Sequence, residues 1–258
     1  MAKKGPAKKR KRRRRRGGLA RLLRPLSVLL AAVAVVIALT LFFKVGTIEV
    51  TGNSRYSAEE IAAATGVEMG DNLILLDRYG IQRKLFVDLP YIKEARINPN
   101  PPSTLSVEVV ETTAVAALPG AGAYWLISRD GKLLEAVDET QAQDYLGIAG
   151  LEADAPAAGQ ELRLAEDSPI TLSRLQELLA ALEERQILAR ADSLDMTSDD
   201  TLVIYYDGRF RVEMYYSADF DYKLHCLEET VTLLQPNETG IIRMTMKDED
   251  EVRFISSG

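Results

Sequence analysis

The chain has 258 residues, 47% of them hydrophobic and 27% charged, and a formal net charge of −6. That charge joins two opposed parts: 13 basic residues precede Leu26, whereas residues 45–258 carry 18 basic against 38 acidic side chains, a net charge near −20. An acidic body excludes nucleic acid as its partner, because such affinity rests on Lys and Arg neutralising phosphates. A lone cysteine, Cys226, excludes an intramolecular disulfide and Cys-based metal or redox motifs.

Nine consecutive basic residues, Lys8 to Arg16, are followed by an apolar run from Leu26 to Phe43 in which only Ser27 and Thr40 are polar. As a helix this run is about 27 Å long, close to the hydrocarbon thickness of a bilayer. Basic residues beside a single span stay cytoplasmic. The expected organisation is therefore a cytoplasmic tail over 1–25, a transmembrane helix over 26–43 and all later residues on the outer side, in the cytoplasmic membrane. A basic run also suits nucleic acid or anionic lipid, but topology requires nothing beyond the adjacent span. The run is longer than the h-region of a cleaved signal peptide and ends in Leu41, Phe42 and Phe43 instead of a small-x-small site, which favours an uncleaved anchor.

Thr47 to Gly52 alternates, with Ile48 and Val50 on one face, and predicts a short strand. Ser57 with Glu60 forms a capping box for a helix carrying Ile61, Ala62 and Thr65 and closed by Gly66. A second helix is predicted over Leu73 to Leu89, with Ile81, Leu85 and Phe86 as core contacts and Pro90 as its stop. Ile92 to Ile97 and Thr104 to Val110 read as strands, with the proline-rich Asn98 to Pro102 as an irregular connection. Strand, helix, helix, strand, strand makes two helices on one face of a small sheet, an α+β layer pair.

This order and its wording resemble a POTRA domain, specifically that of the FtsQ/DivIB bacterial cell-division proteins. The matching segments are Ile48–Asn53, Glu59–Ile61, Leu89–Ala95 and Leu105–Glu111. The family usually places a proline after the last strand, where this chain has Thr112 to Ala116. Tyr124 to Leu134, two strands about a turn at Asp130-Gly131, is similar to the segment that opens the family's β domain.

Further on, Tyr145 to Ile148 predicts a strand and Ser168-Pro169 the start of a helix with Leu172, Leu175, Leu179 and Leu182 on one side. Strands are expected over Ser193–Met196, Leu202–Tyr206 and Phe210–Tyr216, a helix over Asp219–Gln235, and a closing hairpin of Ile241–Met246 and Glu251–Ile255. The expected fold class is thus α+β: one N-terminal transmembrane helix, a POTRA domain over 44–113, and a mostly antiparallel β domain with two covering helices over 114–258.

Little in the chain points to catalysis. His225, the single histidine, lacks the partners of a triad or zinc site. The acids between Lys247 and Glu251 lack the spacing and glycine of a calcium loop and read as a hairpin tip. Asn237-Glu-Thr239 matches a glycosylation sequon expected to be idle, and no phosphate-cradling glycine loop is present. No catalytic residue, cofactor, metal or small-molecule substrate is expected. Of the pairs Tyr205/Tyr206 and Tyr215/Tyr216, alternation turns one of each outward.

The stronger candidate is an edge. Ile241 to Met246 lies near the end of the chain and would offer unpaired backbone groups to a partner strand. The resemblance implies that this C-terminal strand region engages other single-span division proteins, FtsB/DivIC-like and FtsL-like, through Ile242, Met244, Met246 and Phe254. Arg243 stands where the family often has an acid. Alternation alone also allows these positions to face the core. What the resemblance implies overall is a non-enzymatic scaffold at the division septum that helps regulate septal peptidoglycan synthesis. The rivals are a POTRA-type chaperone or assembly component of an envelope export system and a membrane-anchored cell-wall enzyme.

Overall fold

The computed structural model describes residues 18–245 and 252–256, without the side chains at 18–24 and 39–41. The basic run Lys8–Arg16 and the acidic stretch Lys247–Glu251 lie outside the described residues. The chain divides into two compact units. One holds the N-terminal helix with Glu68–Leu76 and Pro99–Leu105; the other holds Ile48–Val67, Asp77–Asn98 and the chain from Ser106 onward.

In the first unit, helix α1 (Gly18–Phe42) contains Pro25, which removes one amide donor from its ladder. Leu26, Val28, Leu30, Val35, Val36 and Ile37 are each more than half exposed. Among the described residues no helix is long and apolar enough to cross a membrane. The expected span runs through residues 39–41, so its apolar run is not described whole. After α1 the backbone is stapled to two loops: Val45 donates to the Asp71 carbonyl and Gly46 to that of Ser103, each at 2.8 Å.

Strand β1 (Thr47–Thr51), helices α2 (Ala58–Thr65) and α3 (Arg78–Asp88), and strands β2 (Ile92–Asn100) and β3 (Thr104–Glu111) follow, with sheet order β1-β3-β2. The expected β-α-α-β-β succession is present. Ser57 and Glu60 form the reciprocal capping box, and Gly66 ends α2 at φ 69°. Helix α3 starts five residues later than the sequence suggests. The Asp77 side chain accepts from the Gly80 amide and fixes the start there, leaving Leu73 buried ahead of the helix. Strand β2 continues through Pro99, where an irregular segment is expected; it lies at the sheet edge, where a missing amide donor is tolerated.

The remaining strands build one nine-stranded sheet. In chain order they are β4 (Ala114–Gly120), β5 (Ala123–Ser128), β6 (Leu133–Val137), β7 (Leu146–Ala149), β8 (Ala191–Asp195), β9 (Thr201–Tyr206), β10 (Phe210–Tyr215), β11 (Gly240–Arg243) and β12 (Arg253–Ser256). Their spatial order is β12-β11-β10-β9-β8-β7-β4-β5-β6. Among the described residues five of its eight pairings are antiparallel, in keeping with the expected mostly antiparallel sheet, but the sheet is mixed: β4 with β7, β7 with β8 and β10 with β11 pair in parallel. Parallel neighbours need crossovers. Helix α5 (Leu172–Glu184) lies in the connection from β7 to β8, and α6 (Phe220–Leu233) in that from β10 to β11.

One face of this sheet packs on α5 and α6. Leu175, Leu178, Leu179 and Leu182 of α5 and Phe220, Leu224 and Leu227 of α6 are buried in one core with the inward strand residues. Helix α5 starts after Thr171, whose hydroxyl accepts from the Arg174 amide, and not at Ser168-Pro169; the Ser168 hydroxyl is turned to the Ile170 carbonyl. The short helix α4 (Glu139–Ala142) is not among the expected elements, although Asp138 and Gln141 form a capping box at its start.

Candidate interaction surface

The C-terminal edge is assembled on β10. Strand β11 pairs with it in parallel, Val212 opposite Ile242, and β12 adds antiparallel to β11, Ile242 opposite Phe254. Among the described residues no strand pairs with the outer side of β12. The edge is therefore β12, whereas β11, the expected edge, has neighbours on both sides. Gly240 permits this closure: a Cβ there would sit 2.2 Å from the Ile255 carbonyl oxygen.

Parity decides what each residue presents. Ile242 and Met244 are 0% and 1% exposed and belong to the core under the helices. Phe254 is half-buried on the same side, edge-to-face with Phe210 at a centroid distance of 6.1 Å. Met246 lies outside the described residues. Sequence reasoning missed Ile255, 38% exposed on β12, and noted Arg243 only as a departure from the family pattern. Arg243 donates to Glu213 at 2.8 Å, and Arg211 pairs with the same carboxylate at 3.2 Å. Knowing that β12 is the edge would have pointed to Ile255, since it stands opposite Ile241. Tyr206 and Tyr216 are buried, while Tyr205 and Tyr215 are each 39% exposed.

The face of the sheet away from α5 and α6 carries a buried cluster at its β4-β5-β6 end. Tyr91 is buried with Ala117, Leu126, Leu134 and Ala142, and Tyr56 and Tyr145 pack alongside. The Tyr91 hydroxyl donates to the Glu135 carboxylate. Arg55 lies 3.6 Å from the centre of the Tyr91 ring and pairs with Glu135 at 3.1 Å. Burial and the Glu135 hydrogen bond together raise the Tyr91 phenol well above its ordinary range. Lys132 donates to the Ile92 carbonyl at 2.9 Å, and burial brings its pKa down to about 8. Lys93 pairs with Asp130 at 2.7 Å. Gly159, at φ +81°, lies so close to α3 that a Cβ would be 2.6 Å from the Phe86 carbonyl oxygen.

As for chemistry, His225 is exposed and Cys226 half-buried on α6. Among the described residues no group of three His, Cys, Asp or Glu is placed to hold a metal.

A β-α-α-β-β unit followed by a large mixed sheet defines a POTRA-bearing protein. The family model for the POTRA domain of FtsQ type matches residues 43–112. The cell division protein FtsQ of Corynebacterium glutamicum is 32% identical over 41% of this chain and 47% of the relative. FtsQ of Mycobacteroides abscessus is 31% identical over 68% of this chain and 55% of the relative. The solved extracytoplasmic domain of DivIB from Geobacillus stearothermophilus aligns over 49% of this chain and 97% of that one, at 15% identity and a TM-score of 0.31, too loose a likeness to carry an argument. Residues 43–112 thus match an FtsQ-type POTRA domain, and the chain is similar to cell-division proteins of the FtsQ/DivIB family. It spans about half the length of the curated relatives it matches.

Proposed function

We propose that this protein is a non-enzymatic divisome scaffold, anchored in the cytoplasmic membrane and concentrated at the septum. There it binds other single-span division proteins, FtsB/DivIC-like and FtsL-like, and helps regulate septal peptidoglycan synthesis. Its organisation is a cytoplasmic tail over 1–25, a span over 26–43, a POTRA domain over 44–113 and a β domain over 114–258, with both domains outside. Similarity to FtsQ and DivIB proteins supports the role, and the basic run before the apolar run supports the orientation. The exposed apolar side chains of α1 support a lipid environment, which would cover them.

The observation that carries the binding mode is the outer side of β12, whose backbone groups suit β-augmentation by a partner strand. Ile242 and Met244 support that edge from beneath, Phe254 steadies β12 against Phe210, and Ile255 meets the partner. A fluorescent fusion followed in dividing cells during depletion of the native protein tests the role. A septal band and filamentation on depletion are expected; uniform membrane signal with normal septation would overturn it. The edge is tested by pull-down with the full chain: Ile255→Asp should reduce partner recovery at least fivefold, and equal recovery would remove β12 from the reading.

A further inference from the structure

Among the described residues, the face of the nine-stranded sheet away from α5 and α6 carries a buried cluster at its β4-β5-β6 end. Beside that cluster, and lined in part by its Ala117, Tyr124, Ala142 and Tyr145, lies a bowl of about 520 Å³, a size typical of ligand sites. Its floor follows a single transverse row, in which Ala117 faces Gly147 and Gly147 faces Ser193. A Cβ on Gly147 would meet nothing within 4 Å, so the depth comes from a missing side chain. Tyr145, two residues before Gly147, and Tyr124, opposite Pro119, stand on the two sides of this row. Two exposed carboxylates, Glu139 and Asp192, complete the lining.

The row continues from Ser193 to Tyr205 and on to Arg211, where a second hollow of about 380 Å³ shares Asp192 with the first. Arg211 is 47% exposed. Arg211, which also pairs with Glu213 at 3.2 Å, sets a guanidinium on the row three strands from the bowl. The molecule already uses the bowl's chemistry internally, where Arg55 lies on the Tyr91 ring and pairs with Glu135. A planar guanidinium suits an aromatic wall and a carboxylate together better than an ammonium does.

We propose that this row is a second docking site, separate from the β12 edge, for an extended segment of a partner polypeptide. The segment seats an arginine between Tyr124 and Tyr145, with Glu139 and Asp192 beside the guanidinium, and places an acidic residue over Arg211. Three strand spacings are about 14 Å, or about four residues of extended chain. The recognised pattern is therefore arginine, three intervening residues, then glutamate or aspartate. The net charge near −20 beyond residue 44 favours approach by the arginine end.

The test is fluorescence anisotropy of a labelled nonapeptide, Gly-Gly-Arg-Ala-Ala-Ala-Glu-Gly-Gly, titrated with the full chain. Saturable binding is expected, weakening as salt is raised. Gly147→Leu fills the bowl without a backbone clash and should weaken binding at least tenfold. Glu139→Lys combined with Asp192→Asn leaves the bowl open and should weaken it at least threefold, a readout that stands even if the leucine variant misfolds. A peptide with glutamate in place of arginine should not bind. Equal binding of the two peptides, or unchanged binding by both variants, would overturn the proposal. So would free arginine amide binding as tightly as the peptide, or a chain dimer that Gly147→Leu dissolves. Partner recovery through β12 should persist in Gly147→Leu, which separates failure of this site from failure of the edge.

Discussion

Four donors converge on the Glu111 carboxylate: the amides of Ser54, Arg55 and Tyr56 and the Ser54 hydroxyl, at 2.7 to 3.1 Å. They tie the end of β3 to the turn that leads into α2. Burial pushes the Glu111 carboxyl up, but these hydrogen bonds outweigh it and hold its pKa below 4.5. A depressed carboxyl stabilises the fold above its ordinary pKa and loses that contribution as pH falls through the folded value. Glu111→Ala, which removes four hydrogen bonds to the carboxylate, should cost about 2 kcal/mol in urea unfolding at pH 7. The difference from wild type should shrink below pH 4; a constant difference would contradict the assignment. Glu111 is legible in the sequence only as the last acid of a family-like strand. Its partners lie 55 to 57 residues upstream, beyond the reach of any local pattern. The capping box at Ser57 and Glu60, three residues apart, is by contrast fully legible.

The elements were legible as types more than as neighbours. Hydrophobic alternation announces β9 through β12, yet whether Ile242 or Ile241 points inward depends on pairing that appears only in the fold. The two covering helices were expected, but not that they bridge parallel strands, because periodicity carries no information about which strand follows alongside. Gly240 shows how tightly the β11–β12 closure is built. Gly240→Ala should cost on the order of 1–3 kcal/mol through its clash with the Ile255 carbonyl, and should speed amide exchange in β12 ahead of β9. Uniform exchange across both strands would argue against a locally weakened edge. Thr171→Ala, which removes the α5 cap, should cost about 1 kcal/mol and leave β12 exchange unchanged.

Within the larger compact unit, the contacts of Arg55, Tyr91 and Lys93 with Glu135 and Asp130 join two regions that the sequence separates by a change of pattern. No motif announces this joint; Tyr91 is legible only as part of the family-like segment Leu89–Ala95. Glu135→Ala should destabilise the protein by about 1–2 kcal/mol, mainly by stranding the half-buried Tyr91 hydroxyl. Gly159→Ala should cost about 1–3 kcal/mol through its left-handed backbone and its closeness to Phe86. Lys132 supplies a pH signature. With its pKa lowered from 10.5 to about 8, the unfolded chain binds the extra proton between those values, so stability rises with pH across that window. Wild type minus Lys132→Met, measured by thermal midpoint, should show this rise; a flat difference would exclude it. The strand order bears on when binding becomes available. From β7 onward each strand is laid outside the one before it, through β8, β9, β10 and β11 to β12. A chain delivered N-terminus first therefore completes the proposed β12 docking edge after everything that supports it, so unfinished copies would lack it.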